Sequence, residues 1–171
     1  MPERADAVAV LVLGDLQDSV RQYAAHTDHD VHAGTADDID DTIDVVVLNG
    51  TAGISADGLV EHVRDHDYEC GILFLRDRDE TARGVDLTLP ASASADEIRT
   101  GVVRIARRVA YEAVVDDLFD LCERRADLLD AGDEDAADAV SDRIKEHREC
   151  TDDIAATFDD SDYRAAFRDL D

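Results

Sequence analysis

The chain has 171 residues, enough for one domain of ordinary size and an appendage. Lys and Arg number 17 against 43 Asp and Glu, a net charge of −26, and Trp is absent. That balance leaves no basic patch for an autonomous grip on nucleic acid, and no run approaches the roughly 20 apolar residues that span a bilayer. Disorder is excluded by the regular apolar runs and by acids spread along the whole chain rather than blocked into a tail. With 44% hydrophobic residues, the composition describes a folded protein whose carboxylate surface suits a salt-rich cytosol. In multimolar salt the Debye length is about 3 Å or less, so charge alone neither proves nor excludes contact with DNA. The start, MPERADAV, lacks the apolar stretch of a signal peptide, so a cytoplasmic protein is expected. Cys70, Cys122 and Cys150 are odd in number with no CxxC, and read as reduced packing thiols.

Residues 8–13 (VAVLVL) read as a buried strand. Leu16, Val20, Tyr23 and Ala24 then follow helical spacing over 16–26. A weak strand is expected at 30–33, one or two helical turns at 37–43, and the clearest strand at 45–48 (VVVL). Leu59, Val60 and Val63 mark a helix over 57–66, GILFL a strand at 71–75, and 86–89 a short strand ending at Pro90. Strand and helix alternating at this pitch mean parallel βαβ units, and continuous apolar strands mean a sheet covered on both faces. The expected fold is α/β, a five-stranded parallel doubly wound sheet over residues 6–108.

Ser94 and Glu97 have capping-box spacing and open a long helix. Ile98, Val102, Ile105 and Val109 form its first stripe, and Val114, Leu118, Leu121 and Leu128 resume it in a shifted phase. The shift near Ala110 marks the start of a helical module at 110–171, with the helix able to run straight through. DAGDED (130–135) is a turn. Val140, Ile144, His147, Thr151, Ile154 and Phe158 form a coiled-coil-like seam on the next helix. DDSD (159–162) would cap a short third helix with Tyr163, Phe167 and Leu170.

Few residues invite chemistry. His26, His29 and His32 straddle a helix end, a turn and a strand, so solvated loop histidines are expected rather than a metal site. Gly14 follows the first strand without a GxGxxG or a P-loop lysine, and Ser19, Ser55 and Ser92 lack a GxSxG elbow. Asp15 and Asn49 end the first and third strands, which neighbour each other at the switch point where open α/β sheets bind ligands. Two carboxylates and a third acid there would hold a divalent cation. Gly14, Asp15 and Asn49 supply one carboxylate, and polar strand ends over a core remain the bland alternative.

At these residues the chain resembles a response-regulator receiver domain over about residues 8–108. VLVLGDLQDS (10–19) is similar to the family's first strand and acidic pair, and DVVVLNG (44–50) to its third strand and phosphoacceptor. ADGLVEHVR (56–64) resembles the third helix, and GILFLRD (71–77) and LTLPAS (87–92) the fourth and fifth strands. Residues 111–171 resemble the HalX domain, a module that follows receivers in haloarchaea. The resemblance implies two magnesium-binding acids after the first strand, where this chain has Gly14 and Asp15. It implies a phosphoacceptor aspartate where Asn49 stands, and an amide is no nucleophile for phosphorus. It implies a Thr or Ser at Arg76, a Lys at Leu89, and a cis peptide bond at Pro90. Arg76 is expected to pair with Asp15 and the amide oxygen of Asn49 and so plug the pocket. Only about a dozen residues join the fourth strand to Pro90, so the fourth helix should be shortened or missing. The loop after Asn49 is one residue short of the family's usual pattern.

The resulting expectation is a non-phosphorylatable pseudo-receiver joined to a HalX module. Such a protein would regulate two-component-type signalling through protein contacts, as no enzyme and with neither cofactor nor metal. A homodimer through the C-terminal helices would fit it. One alternative is a transcription regulator touching DNA or the transcription machinery, with Arg104, Arg107, Arg108, Arg124 and Arg125 as its only basic grouping. Another is a small-ligand-binding or cryptic enzyme domain using Asp15, Asn49 and Arg76.

Overall fold

The computed structural model describes residues 7–50, 52–76 and 82–158. The chain divides into two compact units, 1–109 and 110–171. In the first, five strands form one all-parallel sheet: β1 (Ala9–Leu13), β2 (Asp30–Gly34), β3 (Val45–Asn49), β4 (Gly71–Arg76) and β5 (Leu87–Pro90), in the order β2-β1-β3-β4-β5. Helix α1 (Asp18–Ala25) follows β1, α2 (Ala56–Asp65) follows β3, and α3 (Ala95–Asp130) follows β5. This is the doubly wound, flavodoxin-like α/β arrangement.

Alternation along the strands assigns every side chain to a layer. Val10, Val12, Val45, Val47, Leu73 and Leu75 face Val20 and Tyr23 of α1 and Ile98, Val102 and Ile105 of α3. Leu11, Leu13, Val46, Leu48, Ile72 and Phe74 face Leu59, Val60 and Val63 of α2, with Ile39 and Ile43 completing that side. The turn expected at 37–43 is a single 3₁₀ turn, Ala36–Asp38, closed by a capping box between Thr35 and Asp38.

The connection from β4 to β5 is ten residues long, 77–86. Its described part, 82–86, contains no helix. Instead Val85 enters the α2-side core, and the Arg83 N–H donates to Asp57 Oδ1 of α2 at 3.1 Å. Thr88 and Pro90 are consequently exposed on β5.

At the end of the sheet where the strands begin, two carboxylates pin the inner strands β1 and β4. The Ala9 N–H donates to Asp44 Oδ2 at 2.8 Å, and the Ile72 N–H to Asp86 Oδ2 at 2.5 Å. Asp86 also pairs with Arg108 of α3 in a largely buried ion pair.

Helix α3 opens with the expected capping box. The Glu97 carboxylate accepts from the Ser94 N–H and hydroxyl at 2.8 Å each, and the Glu97 N–H donates to Ser94 Oγ at 3.3 Å. The helix continues without a break to Asp130. In the second unit its later part forms a hairpin with α4 (Glu134–Ala155), whose N-cap Asp133 accepts from the Ala136 N–H at 3.2 Å. Leu121, Ala137, Val140 and His147 are buried in that unit. The Arg125 Nε–H donates to Ser141 Oγ at 2.7 Å, and Tyr111 meets Phe158 ring to ring at 5.3 Å. The third helix expected around Tyr163, Phe167 and Leu170 lies outside the described residues. No helix among the described residues is long and apolar enough to cross a membrane.

Helix α3 lies close on the sheet because Gly71 has no side chain. A Cβ there would run into Cγ2 of Ile105, whose β-branch leaves it little freedom to move. Gly71→Ala is expected to cost about 1–3 kcal/mol from overpacking, read as a lower midpoint in chemical denaturation with an unchanged slope.

Candidate functional site at the strand ends

Strand order brings the ends of β1 and β3 side by side, with Leu13 opposite Leu48. Asn49 is the last residue of β3 and only 1% exposed. A buried amide must find partners, since an unmet polar group costs roughly 1–3 kcal/mol. Its Nδ2–H donates to the main-chain carbonyl of Asp15 across the crevice. Its Oδ1 lies where a side chain on Gly14 would begin. Gly14 itself has φ +98°, a conformation that L side chains rarely adopt, and a Cβ there would also crowd the Ala52 N–H at 2.9 Å. The Ala52 N–H in turn donates to the Asn49 carbonyl at 3.2 Å. Gly14, Asp15, Asn49 and Ala52 thus interlock through one side chain and the backbone.

Two expectations need correction. Arg76 does not plug this site. Asn49 continues the series Val45 and Val47 toward the α1 and α3 layer, whereas Arg76 continues Ile72 and Phe74 toward the α2 layer. The two side chains therefore leave the sheet on opposite faces, and Arg76 is exposed. The Nδ2–H of Asn49 donates to the backbone carbonyl of Asp15. The second correction concerns Pro90, whose peptide bond is trans. Pro90 ends an edge strand, where a missing N–H breaks no ladder bond. The Ala91 N–H donates to Arg76 O at 2.9 Å, and the Ala93 N–H to Pro90 O at 2.8 Å, so an ordinary trans turn carries the chain into α3.

Leu89 is on the same face as Asn49. It packs with Leu87 against the α1 and α3 core, where both approach Gly101 of α3. It is an apolar packing residue, with no amino group to offer an oxyanion. Gly14, Asp15, Asn49 and Leu89 therefore gather at one end of the sheet, and Arg76 stands apart. Together they supply one carboxylate and one amide already engaged, and no nucleophile. Among the described residues no group of three or more His, Cys, Asp or Glu converges as a metal would require.

The histidines at 26, 29 and 32 diverge. His26 Nδ1 bonds the Gln22 carbonyl at 2.9 Å, His32 meets Asp30 at 3.0 Å, and His29 Nδ1 meets the Tyr23 hydroxyl at 2.8 Å. A groove of about 310 Å³ lies between α1 and the start of α3, lined by Gln22, Tyr23, His26, Ser94, Asp96 and Arg99. It is built of residues on and next to these helices, and its carboxylate and guanidinium pair with each other at 2.7 Å. Of the arginines, Arg108 is committed to Asp86 and Arg125 to Ser141, which breaks up the basic grouping. Burial pushes the Cys70 thiol up to about 11, consistent with a packing residue.

No protein-family model matches this chain, and no curated protein matches it.

His29 supplies a pH-dependent element. Burial holds its imidazole below the ordinary value of 6.5, with Asp28 opposing and Arg99 adding to that effect. The unfolded chain thus binds the proton more readily than the folded one, so stability is full above about pH 6.5 and falls as the pH drops below it. His29→Gln is expected to flatten that decline, measured as the difference in thermal midpoint between about pH 7.5 and about pH 5.5.

Proposed function

We propose that this chain is a regulatory protein of two-component type: a non-phosphorylatable pseudo-receiver, residues 6–108, followed by a HalX-type helical module, residues 110–171. It works through protein contacts in the cytoplasm of a salt-adapted cell, and not as an enzyme. The observation that carries this reading is the state of the strand-end crevice. The sheet has the order in which such a crevice receives a phosphoryl group, yet the residue delivered there is a buried amide bonded to the Asp15 carbonyl. Phosphoryl transfer needs a nucleophile and cations arranged about the transferred group. Here the position for one acid is a glycine at φ +98° with no space for a side chain.

In this reading the output lies in the C-terminal helices. Val115, Phe119, Cys122, Ala126 and Leu129 recur at intervals of 4-3-4-3 along α3. Phe119 and Leu129 are 67% and 44% exposed despite their size. A heptad stripe of this kind is self-complementary, which favours a second copy as its occupant.

Two experiments test the proposal. Acetyl phosphate and magnesium in molar KCl should leave the wild-type chain and the Asn49→Asp, Leu89→Lys variant equally unmodified by mass spectrometry. A phosphoryl adduct at position 49 of the variant would show that the crevice still admits the reaction and would sink the inactive-site reading. Light scattering in molar KCl should give a dimer for the wild type and a monomer for Phe119→Asp. A monomeric wild type would remove self-association from the proposal.

A further inference from the structure

A second cluster lies on the far side of the first unit, at the end of α2. His62 and His66 are four residues apart and share one helix face, with ring centroids 4.4 Å apart. His66 Nδ1 is 2.8 Å from the His62 carbonyl oxygen. A carbonyl only accepts, so Nδ1 carries the proton and Nε2 carries the lone pair. Such a tautomer, fixed by a main-chain acceptor, is the state in which a histidine ligates a metal.

The same carbonyl contact recurs at His26 and His147, but neither has a second imidazole against it among the described ring contacts. Only at His66 do a fixed tautomer and a neighbouring imidazole coincide. The His66 ring is also held from a second side, by Tyr68, whose ring is itself 6.3 Å from that of His62. Asp67 adopts φ 54°, and the Tyr68 N–H donates to the Val63 carbonyl at 3.1 Å in a Schellman-type helix end. That turn folds the Tyr68 ring flat onto His66, at 5.4 Å and 6°. His66 is thus positioned before any ligand arrives, which lowers the ordering cost of binding. Glu61, Asp65, Asp67 and Glu69 surround the pair in sequence and are exposed, so a dication enters a field of favourable sign.

We propose that His62 and His66 form a two-imidazole site for a first-row transition-metal dication of the zinc class. Water would complete the coordination, with His66 Nε2 and one ring nitrogen of His62 as the protein ligands. Neither oxygen-seeking magnesium nor calcium satisfies such a donor pair. The site is independent of the strand-end crevice and of the function proposed above. Its signal in the sequence is the bare HxxxH spacing within EHVRDHDY (61–68).

The test is a zinc chloride titration of the full chain in molar KCl, followed through the imidazole resonances. The His62 and His66 signals should move together and saturate at one equivalent, ahead of His26, His29, His32 and His147. Excess magnesium should leave them in place. His66→Gln and, separately, His62→Gln should each weaken zinc binding at least tenfold, while His26→Gln should not. Equal movement of all six histidines, or unchanged affinity in His66→Gln, would overturn the site and show only unspecific attraction to an acidic chain.

Discussion

The three inner strands of the sheet are buried on both faces, and that constraint governs the rest of the first unit. A strand covered on one side has a choice of which residues meet water. Strands β1, β3 and β4 have almost none, so their strict alternation deals each side chain to the α1 and α3 layer or to the α2 layer. The same alternation continues to the strand ends, where chemistry would occur. Asn49 and Leu89 fall on one side and Arg76 on the other.

Most of the fold was legible because burial leaves a strong trace in a sequence. VAVLVL, VVVL and GILFL mark three central strands by continuous apolar content, and their observed bounds differ only by a residue or so. The capping box at Ser94 and Glu97 located the start of α3 through spacing that reflects real hydrogen bonds. Boundaries moved where local chemistry is soft. Residues 37–43 carry acids and two isoleucines in no clear period, and one 3₁₀ turn with extended flanks was enough to bury both isoleucines.

The site was less legible, for two physical reasons. Sequence shows which residues end the strands, but not where the backbone sends them. The φ of Gly14 and the bond from Asn49 to a main-chain carbonyl leave no mark in residue identity. The side of Arg76 is legible in the sequence, since parity from the apolar residues of β4 places it with Ile72 and Phe74. The trans bond at Pro90 is different, because isomer choice at an X-Pro bond turns on roughly 0.5–1 kcal/mol and is settled by the surrounding turn.

The glycine at position 14 makes the arrangement of the crevice hard to change. A carboxylate at position 49 would exchange an N–H donor for an oxygen facing the Asp15 carbonyl, so two acceptors would confront each other without a proton between them. A side chain at position 14 would meet both the Asn49 amide and an unfavourable backbone conformation. A lysine at position 89 would carry its charge into packed leucines. Each step alone is uphill, and relief comes only when several are made together along with a new path for the loop. Single substitutions are each opposed, and the local backbone, more than any one residue, holds the arrangement of the crevice.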